Sequence, residues 1–291
     1  MGTDLFLGVD GGGTRCRVRI RTRDAALVGE AVGGSANIFT DPVAARATII
    51  ETVAAALAAG GLGPERMADC SAGLGLAGAN LAEVAARFDP STLPFRRTVL
   101  RSDAIAACLG AHGGGDGGIA ILGTGSAYVA RAQGRDVIFG GWGFVVSDVG
   151  SGADIGRAAL SAALLAADEL APTSPLLAAV LKAFEDSPAA IARFSGGARP
   201  VDFGRFAPMV WDAADAGDPV ALDILAPRIA VVETALRRLL SLGAPALCLL
   251  GGQAERYAAR IGKGLQPSLR APRADALEGA LMLVLRGSHA Q

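Results

Sequence analysis

Residues 5–22, LFLGVDGGGTRCRVRIRT, place one carboxylate, Asp10, directly before three glycines and a threonine. Backbone amides without side chains can wrap phosphate oxygens, and an aspartate at their edge can hold a hydrated Mg2+ beside those oxygens. The residues after Thr14 decide the kind of loop. Cys16, Val18 and Ile20 alternate with Arg15, Arg17, Arg19 and Arg21, and a period of two means a strand with one wet face. There is no G-x-x-x-x-G-K-[ST] pattern, so the unit is strand, glycine turn, strand, not a turn opening a helix. The plain alternative is an ordinary hairpin with a flexible tip. The arginine face reads as a solvated hairpin surface and not as a nucleic-acid contact.

Other chemistries have few residues to work with. Two histidines, His112 and His289, do not suit a Ser–His–Asp arrangement or a histidine-rich zinc site. The four cysteines, Cys16, Cys70, Cys108 and Cys248, are far apart on apolar stretches, which suits reduced core thiols in a cytoplasmic protein. No metal cluster is expected. Chemistry should rest on carboxylates and backbone amides.

Those groups need a frame, and 291 residues suit one large or two medium domains. Half the chain is hydrophobic with a mean hydropathy of +0.41, yet aromatics are 5%, so the core is built from Ala, Leu, Val and Ile. A net charge of −1 points to neither nucleic acid nor an anionic membrane surface. No uncharged run reaches the ~18 apolar residues of a membrane span, and Asp4 and Asp10 spoil a signal-peptide reading.

The hairpin predicts a third strand at 27–32, then the loop GGSANIF (33–39). Asp41-Pro42 is a cap and first-turn proline for a helix running to Gly60-Gly61. Next come a strand at 67–76, a helix near 80–88, a strand at 97–100 and a helix through AIAACLGA. After HGGGDGG (112–118) the opening pattern returns in GIAILGTGSAYVARA: apolar strand, Gly-Thr-Gly turn, strand. This echo predicts two similar halves that each offer a glycine hairpin to a shared cleft. GGWGFVVSDVGSGADIGRAALSAALLAADEL reads as a glycine-rich loop passing into a long helix. Further helices are expected over 175–195, 202–216 and 218–242, the last again beginning Asp-Pro, then a strand and Gly-Gly turn in ALCLLGGQAERYAARI, and a last helix near 273–285. The pattern is α/β with mixed sheets flanked by helices. The expected division is an N-terminal domain, 1–112, and a C-terminal domain, 113–291, with the last helix packing back on the first domain.

DGGGT (10–14), LGTGS (122–126) and LLGGQAE (249–255) resemble the phosphate-1, phosphate-2 and adenosine motifs of the sugar kinase, Hsp70 and actin superfamily. GGSANI (33–38), SDA (102–104), CLGAH (108–112), GGWGF (140–144), SDVGSG (147–152) and DALEGALML (275–283) resemble the bacterial glucosamine kinases and N-acetylglucosamine kinases of its BadF/BadG/BcrA/BcrD-type ATPase branch. The matches run in order over nearly the whole chain.

The resemblance implies two actin-like, ribonuclease H-like domains with an interdomain nucleotide cleft, and transfer of the ATP γ-phosphate to the 6-hydroxyl of an amino sugar. It implies that Gly12, Gly13 and Thr14 hold phosphate from one side and Gly123, Thr124 and Gly125 from the other. Gly251 and Gly252 would receive the adenosine, and Asp10 would hold Mg2+ through water. Asp103 becomes the catalytic base, although a helix N-cap is the bland reading of an aspartate there. Asn37, Asp103, Ser126 and Asp148 are the implied sugar ligands, against an Asx turn for Asn37 and a plain loop carboxylate for Asp148. Trp142 would stack on the sugar or pack under its loop. A homodimer is also implied.

Two departures bear on the substrate. Animal-type N-acetylglucosamine kinases tend to carry Asn after GTGS and an acidic residue after the second aspartate, where this chain has Ala127 and Val149. Glucosamine is therefore the first expectation and N-acetylglucosamine the second. The rival expectations are an ATPase activator of a 2-hydroxyacyl-CoA dehydratase type system, which needs cysteine-ligated iron–sulfur, and a sugar-sensing homologue without turnover.

Overall fold

The computed structural model describes residues 4–285; His289 lies outside them. By packing, the chain divides into two units. The first comprises the chain up to Gly117, the segment Val129–Val137 and the described chain from Ala271 on; the second comprises Gly118–Tyr128 and Ile138–Arg270.

The first unit holds a five-stranded mixed sheet. Strands β1 (Leu5–Gly11), β2 (Cys16–Thr22), β3 (Leu27–Gly33), β4 (Cys70–Leu76) and β5 (Arg97–Ser102) lie in the order β3-β2-β1-β4-β5. β1 pairs antiparallel with β2 and parallel with β4. It is central, so both faces are covered, and Leu5, Phe6, Leu7 and Val9 are all buried. β2 has one buried face, Cys16, Val18 and Ile20.

Helix α1 (Pro42–Ala59) covers β2 and β3 with Ala45, Ile49, Val53, Ala56 and Leu57. It is capped by Asp41, whose carboxylate accepts the Val43 and Ala44 amides at 3.0 and 2.9 Å. Its length and composition would let it cross a membrane, but these buried residues seat it on the sheet. Helix α2 (Ala82–Phe88) follows β4, and α3 (Asp103–Ala111) follows β5 directly.

The other sheet comprises β6 (Gly117–Leu122), β7 (Ser126–Ala132), β8 (Arg135–Gly140) and β9 (Leu247–Leu250), in the order β8-β7-β6-β9 with β6 parallel to β9. Gly117 and Val129–Val137 are its residues counted with the first unit, the rest with the second. β8 is absent from the sequence-based reading. Its signal was the pair Gln133-Gly134, which adopts φ of 51° and 74°, two left-handed residues in succession as a tight hairpin turn needs.

Helices α4 (Gly152–Ala167), α5 (Pro175–Lys182), α6 (Pro188–Ser195), α7 (Pro200–Gly204), α8 (Ala207–Asp215), α9 (Pro219–Ser241) and α10 (Ala254–Ala258) complete the second unit. The single helix expected over 175–195 is two. Glu185 and Asp186 turn left-handed at φ 56°, and Ser187 caps a new helix by accepting the Ala190 amide at 3.3 Å. Pro188 explains the break, because the residue before a proline is kept out of helical backbone.

The last helix, α11 (Ala276–Leu285), belongs to the first unit and packs on α3, β1 and β4. Glycines let it come close. A Cβ on Gly73 of β4 would stand 1.9 Å from the Ala280 carbonyl oxygen, and one on Gly279 of α11 would stand 1.8 Å from the Ala106 carbonyl oxygen. Phe6, Leu281 and Val284 fill the space between helix and sheet.

Candidate active site

In the first unit the site is assembled around the end of β1. The DGGGT turn is closed by the Gly12 amide donating to the Arg15 carbonyl at 3.0 Å. The Gly12 carbonyl in turn accepts the Ala36 amide at 3.0 Å and the Ser35 hydroxyl at 3.3 Å, so the GGSANI loop is pinned to the hairpin. Asn37 therefore stands over the turn, with its Nδ2 3.9 Å from where a Gly13 Cβ would be. Its Oδ1 accepts the Phe39 amide at 2.9 Å, the Asx turn of the bland reading, which leaves Nδ2 for another partner.

Asp103 is the first residue of α3, but it is not the cap. Ser102 caps the helix, its Oγ accepting the Ile105 amide at 3.2 Å. Asp103 Oδ1 accepts only the adjacent Ala104 amide, at 2.8 Å, and no side chain among the described residues pairs with this carboxylate. Burial pushes its carboxyl above the usual carboxylate range; the Ala104 amide pulls it down, and the nearby Asp10 carboxylate raises it further.

Asp10 Oδ2 accepts both Nε and Nη2 of Arg17, at 3.0 and 2.6 Å. The arginine face of β2 is thus not the solvated surface expected from sequence. Arg17 also reaches Asp275, Arg19 reaches Glu30 and Glu278, and Arg21 reaches Glu278. These arginine side chains are only 21–27% exposed. Asp275 and Glu278 lie at the start of α11, and Asp275 is 258 residues from Arg17 in sequence, where no local pattern could reveal the pairing.

The second unit carries the other hairpin. The Gly123 amide donates to the Gly125 carbonyl at 2.9 Å, and the carbonyls of Gly123 and Thr124 accept the Gly152 and Ala153 amides at the start of α4. Ser151 caps α4, accepting the Asp154 amide at 3.1 Å. A sixteen-residue helix thus begins against this turn, its positive end suited to phosphate. Ser126 is buried and its hydroxyl donates to the Val149 carbonyl at 3.1 Å, tying β7 to the SDVGSG loop.

Asp148 is buried in that loop with φ 59°, an uncommon backbone for a residue with a side chain. Its Oδ1 accepts the Gly143 amide at 3.2 Å. Burial raises its carboxyl above the ordinary range; the Gly143 amide opposes this and the Asp154 carboxylate adds to it. Asp154 holds the same loop through the Gly150 amide at 3.0 Å, and Arg228 of α9 neutralises it at 2.8 Å. Sequence reasoning missed this buried pair, whose members are 74 residues apart. Trp142 is 71% exposed, so it does not pack under its loop. Phe144 does, with its ring 5.0 Å from that of Phe203.

The glycines divide into two groups. A Cβ on Gly12, Gly13, Gly123 or Gly252 would meet no protein atom closer than 3.9 Å, and none of the four has a left-handed backbone. The fold does not demand glycine there, so the bare amides fit the close approach of a nucleotide. Gly251 differs: its φ is 95°, and a Cβ would stand 2.6 Å from the Leu122 carbonyl oxygen. Among the described residues no three His, Cys, Asp or Glu gather as a metal site. A hydrated Mg2+ held by one carboxylate and substrate phosphates does not require one, and Asp10 Oδ1 is open for that role.

Two mixed sheets flanked by helices, with a glycine hairpin in each unit, define the actin-like sugar kinase fold. A ROK family glucokinase from Streptomyces griseus shares that fold at a TM-score of 0.51 and 19% identity, over 97% of this chain and 100% of that one. The chain belongs to the BadF/BadG/BcrA/BcrD ATPase family, whose pattern it matches over residues 7–283. It is 38% identical to the glucosamine kinase GspK of Vibrio cholerae over 98% of this chain and 97% of that protein. It is also similar to a solved Chromobacterium violaceum structure, provisionally assigned as an N-acetylglucosamine kinase: TM-score 0.88, 32% identity, covering 97% of this chain and 99% of that one.

Proposed function

We propose that this chain is an ATP-dependent amino-sugar kinase that transfers the ATP γ-phosphate to the 6-hydroxyl of glucosamine, with N-acetylglucosamine as the second-best acceptor. The observation that carries the reading is Asp103. It is a half-buried carboxylate on a rigid strand–helix junction, relieved of capping by Ser102 and set near Asp10. Full-length similarity to a glucosamine kinase supports the same substrate class.

Asp103 takes the proton of the sugar 6-hydroxyl as that oxygen bonds to the γ-phosphorus, and the bond from phosphorus to the bridging oxygen breaks to release ADP. The amides of Gly12, Gly13 and Thr14, with those of Gly123, Thr124 and Gly125, hold phosphate oxygens and the charge that develops on them. Gly251 and Gly252 accommodate the adenosine. When bound, Mg2+ supplies charge neutralisation on the phosphates, and Asp10 holds it through water. Asn37 and Asp148 orient the sugar hydroxyls, with Ser126 at the start of β7 tied to the loop that carries Asp148. Ala127 supports glucosamine as first choice, because it offers no amide to an acetamido group. The protein acts in the cytoplasm as a homodimer.

A coupled ADP-release assay with Mg-ATP and glucosamine, N-acetylglucosamine or glucose at matched concentrations tests this. Preference for glucosamine is expected. Preference for the acetylated sugar would overturn the order of acceptors, and silence with all three would overturn the kinase reading itself.

A further inference from the structure

The Asp10 carboxylate is oriented by a chain of contacts that ends on the C-terminal helix. Asp10 and Arg17 face each other in the register of the β1–β2 pair, so both side chains emerge on the same face of the sheet. Arg17 donates Nε and Nη2 to Asp10 Oδ2 at 3.0 and 2.6 Å and Nη1 to Asp275 Oδ2 at 2.8 Å. Asp275 is fixed in turn: its Oδ1 accepts the Glu278 amide at 3.0 Å and its carbonyl accepts the Gly279 amide at 3.1 Å, both from the first turn of α11. The planar fork of arginine makes this bridge directional, where a lysine would act as a point charge.

The same helix braces Asp103. Gly279 lies against the Ala106 carbonyl of α3, and a Cβ on Gly110 of α3 would stand 2.0 Å from the Asp275 carbonyl oxygen. Both acidic groups of the first unit's site are thus referred to one element, the DALEG segment at 275–279. Arg17 occupies Oδ2 of Asp10, and Oδ1 has no partner among the described residues.

We propose that Arg17 and Asp275 are positioning residues that hold Asp10 Oδ1 toward the DGGGT turn, so that the C-terminal helix sets the affinity of the site for a divalent cation bound with nucleotide. This rests on the kinase reading of the site. Groups that orient a metal-holding carboxylate typically change metal affinity by about 10–100-fold when removed.

The test compares binding of ADP by calorimetry, with Mg2+ and with EDTA, in the parent protein, R17Q, R17K, D275N and R19Q, alongside the Mg2+ concentration giving half-maximal ADP release. In R17Q the Mg2+-dependent gain in ADP affinity falls roughly 10-fold while affinity in EDTA stays unchanged. R17K recovers only part of the loss, because it cannot grip both carboxylates at once. D275N keeps an acceptor for the Glu278 amide and loses less than R17Q does, because Arg17 still grips Asp10. R19Q, which breaks ion pairs to Glu30 and Glu278 and the longer 4.0 Å pair to Asp275 but leaves the Arg17 bridge from Asp10 to Asp275 in place, keeps the gain near the parent value.

An unchanged Mg2+-dependent gain in R17Q would overturn the proposal. So would a tighter one, since Arg17 would then be a competing cation and not a brace. Equal losses in R17Q and R19Q would mean that the ladder only stabilises the fold. If the parent phosphorylated no sugar, the kinase reading would fall, but the ADP-binding comparison would still decide the role of Arg17.

Discussion

Ser102 caps helix α3 through a 3.2 Å hydrogen bond to the Ile105 amide, and Asp103, one residue later, is thereby left with no capping duty. The serine satisfies the helix end. The aspartate keeps a carboxylate that is half-buried, raised above its ordinary range and aimed by a rigid junction. Polar capping and proton transfer, which compete in the sequence for one residue, are shared between two neighbours.

Asp103→Asn should lower turnover about 10²–10⁴-fold, the usual contribution of a positioned base, while sugar binding by calorimetry persists. In the parent, activity should fall on acidification at a pH above the ordinary aspartate value of ~3.9, because the base must be ionised and its carboxyl is raised. Stability runs the other way. A carboxyl raised on folding contributes stability at low pH that is lost as pH rises through the folded value. The Asn variant should therefore melt higher than the parent at pH 7, and the gap should close near pH 3. A variant turning over as fast as the parent would exclude Asp103 as base.

Gly12→Ala and Gly279→Ala should behave oppositely. The added methyl at Gly12 meets nothing closer than 3.9 Å, so unfolding free energy should change by less than about 1 kcal/mol while ADP affinity drops. At Gly279 the methyl would meet the Ala106 carbonyl oxygen at 1.8 Å, and forcing α11 off α3 should cost about 1–3 kcal/mol or more. Urea melts with and without ADP separate the two.

Arg228→Met should destabilise the second unit by about 3–5 kcal/mol, since it leaves Asp154 buried without its main counter-charge. The SDVGSG loop hangs on Asp154 through the Gly150 amide, so the Michaelis constant for sugar should also rise. Replacing Asp154 with Asn in the same protein should recover part of the stability. No recovery in the double variant would mean that the loss came from packing alone.

A thiol reagent at pH 8 should label none of the four cysteines in the native protein and all four in urea. All are buried, and burial pushes the Cys16 and Cys70 thiols up to about 11, far from the thiolate form that reacts. Rapid native labelling would reopen the iron–sulfur activator reading, which needs accessible thiolates.

The opening hairpin was legible because its alternation after Thr14 has only one meaning, and Asp41-Pro42 and Asp218-Pro219 marked helix starts through rules that act within four residues. β8 and the break at Glu185–Ser187 were written just as locally, in Gln133-Gly134 and Ser187-Pro188, but each signal is a backbone conformation weaker than the hydrophobic period around it. The arginine ladder was misread for a different reason. A strand face looks solvated until something covers it, and Asp275 and Glu278 arrive from the far end of the chain.

The sequence alone therefore determined the α/β class, both glycine hairpins and the aspartates worth watching, because period, caps and turns are set by neighbours a few residues apart. Tertiary structure decided which of those groups are free to act. Ser102 relieves Asp103, Arg17 holds Asp10, and Asp154 with Arg228 holds the loop of Asp148. Arg17 and Asp10 already face each other across the hairpin, seven residues apart, but Asp275 beside Arg17 and Arg228 beside Asp154 arrive only when the elements pack, and burial then gives each carboxylate its environment.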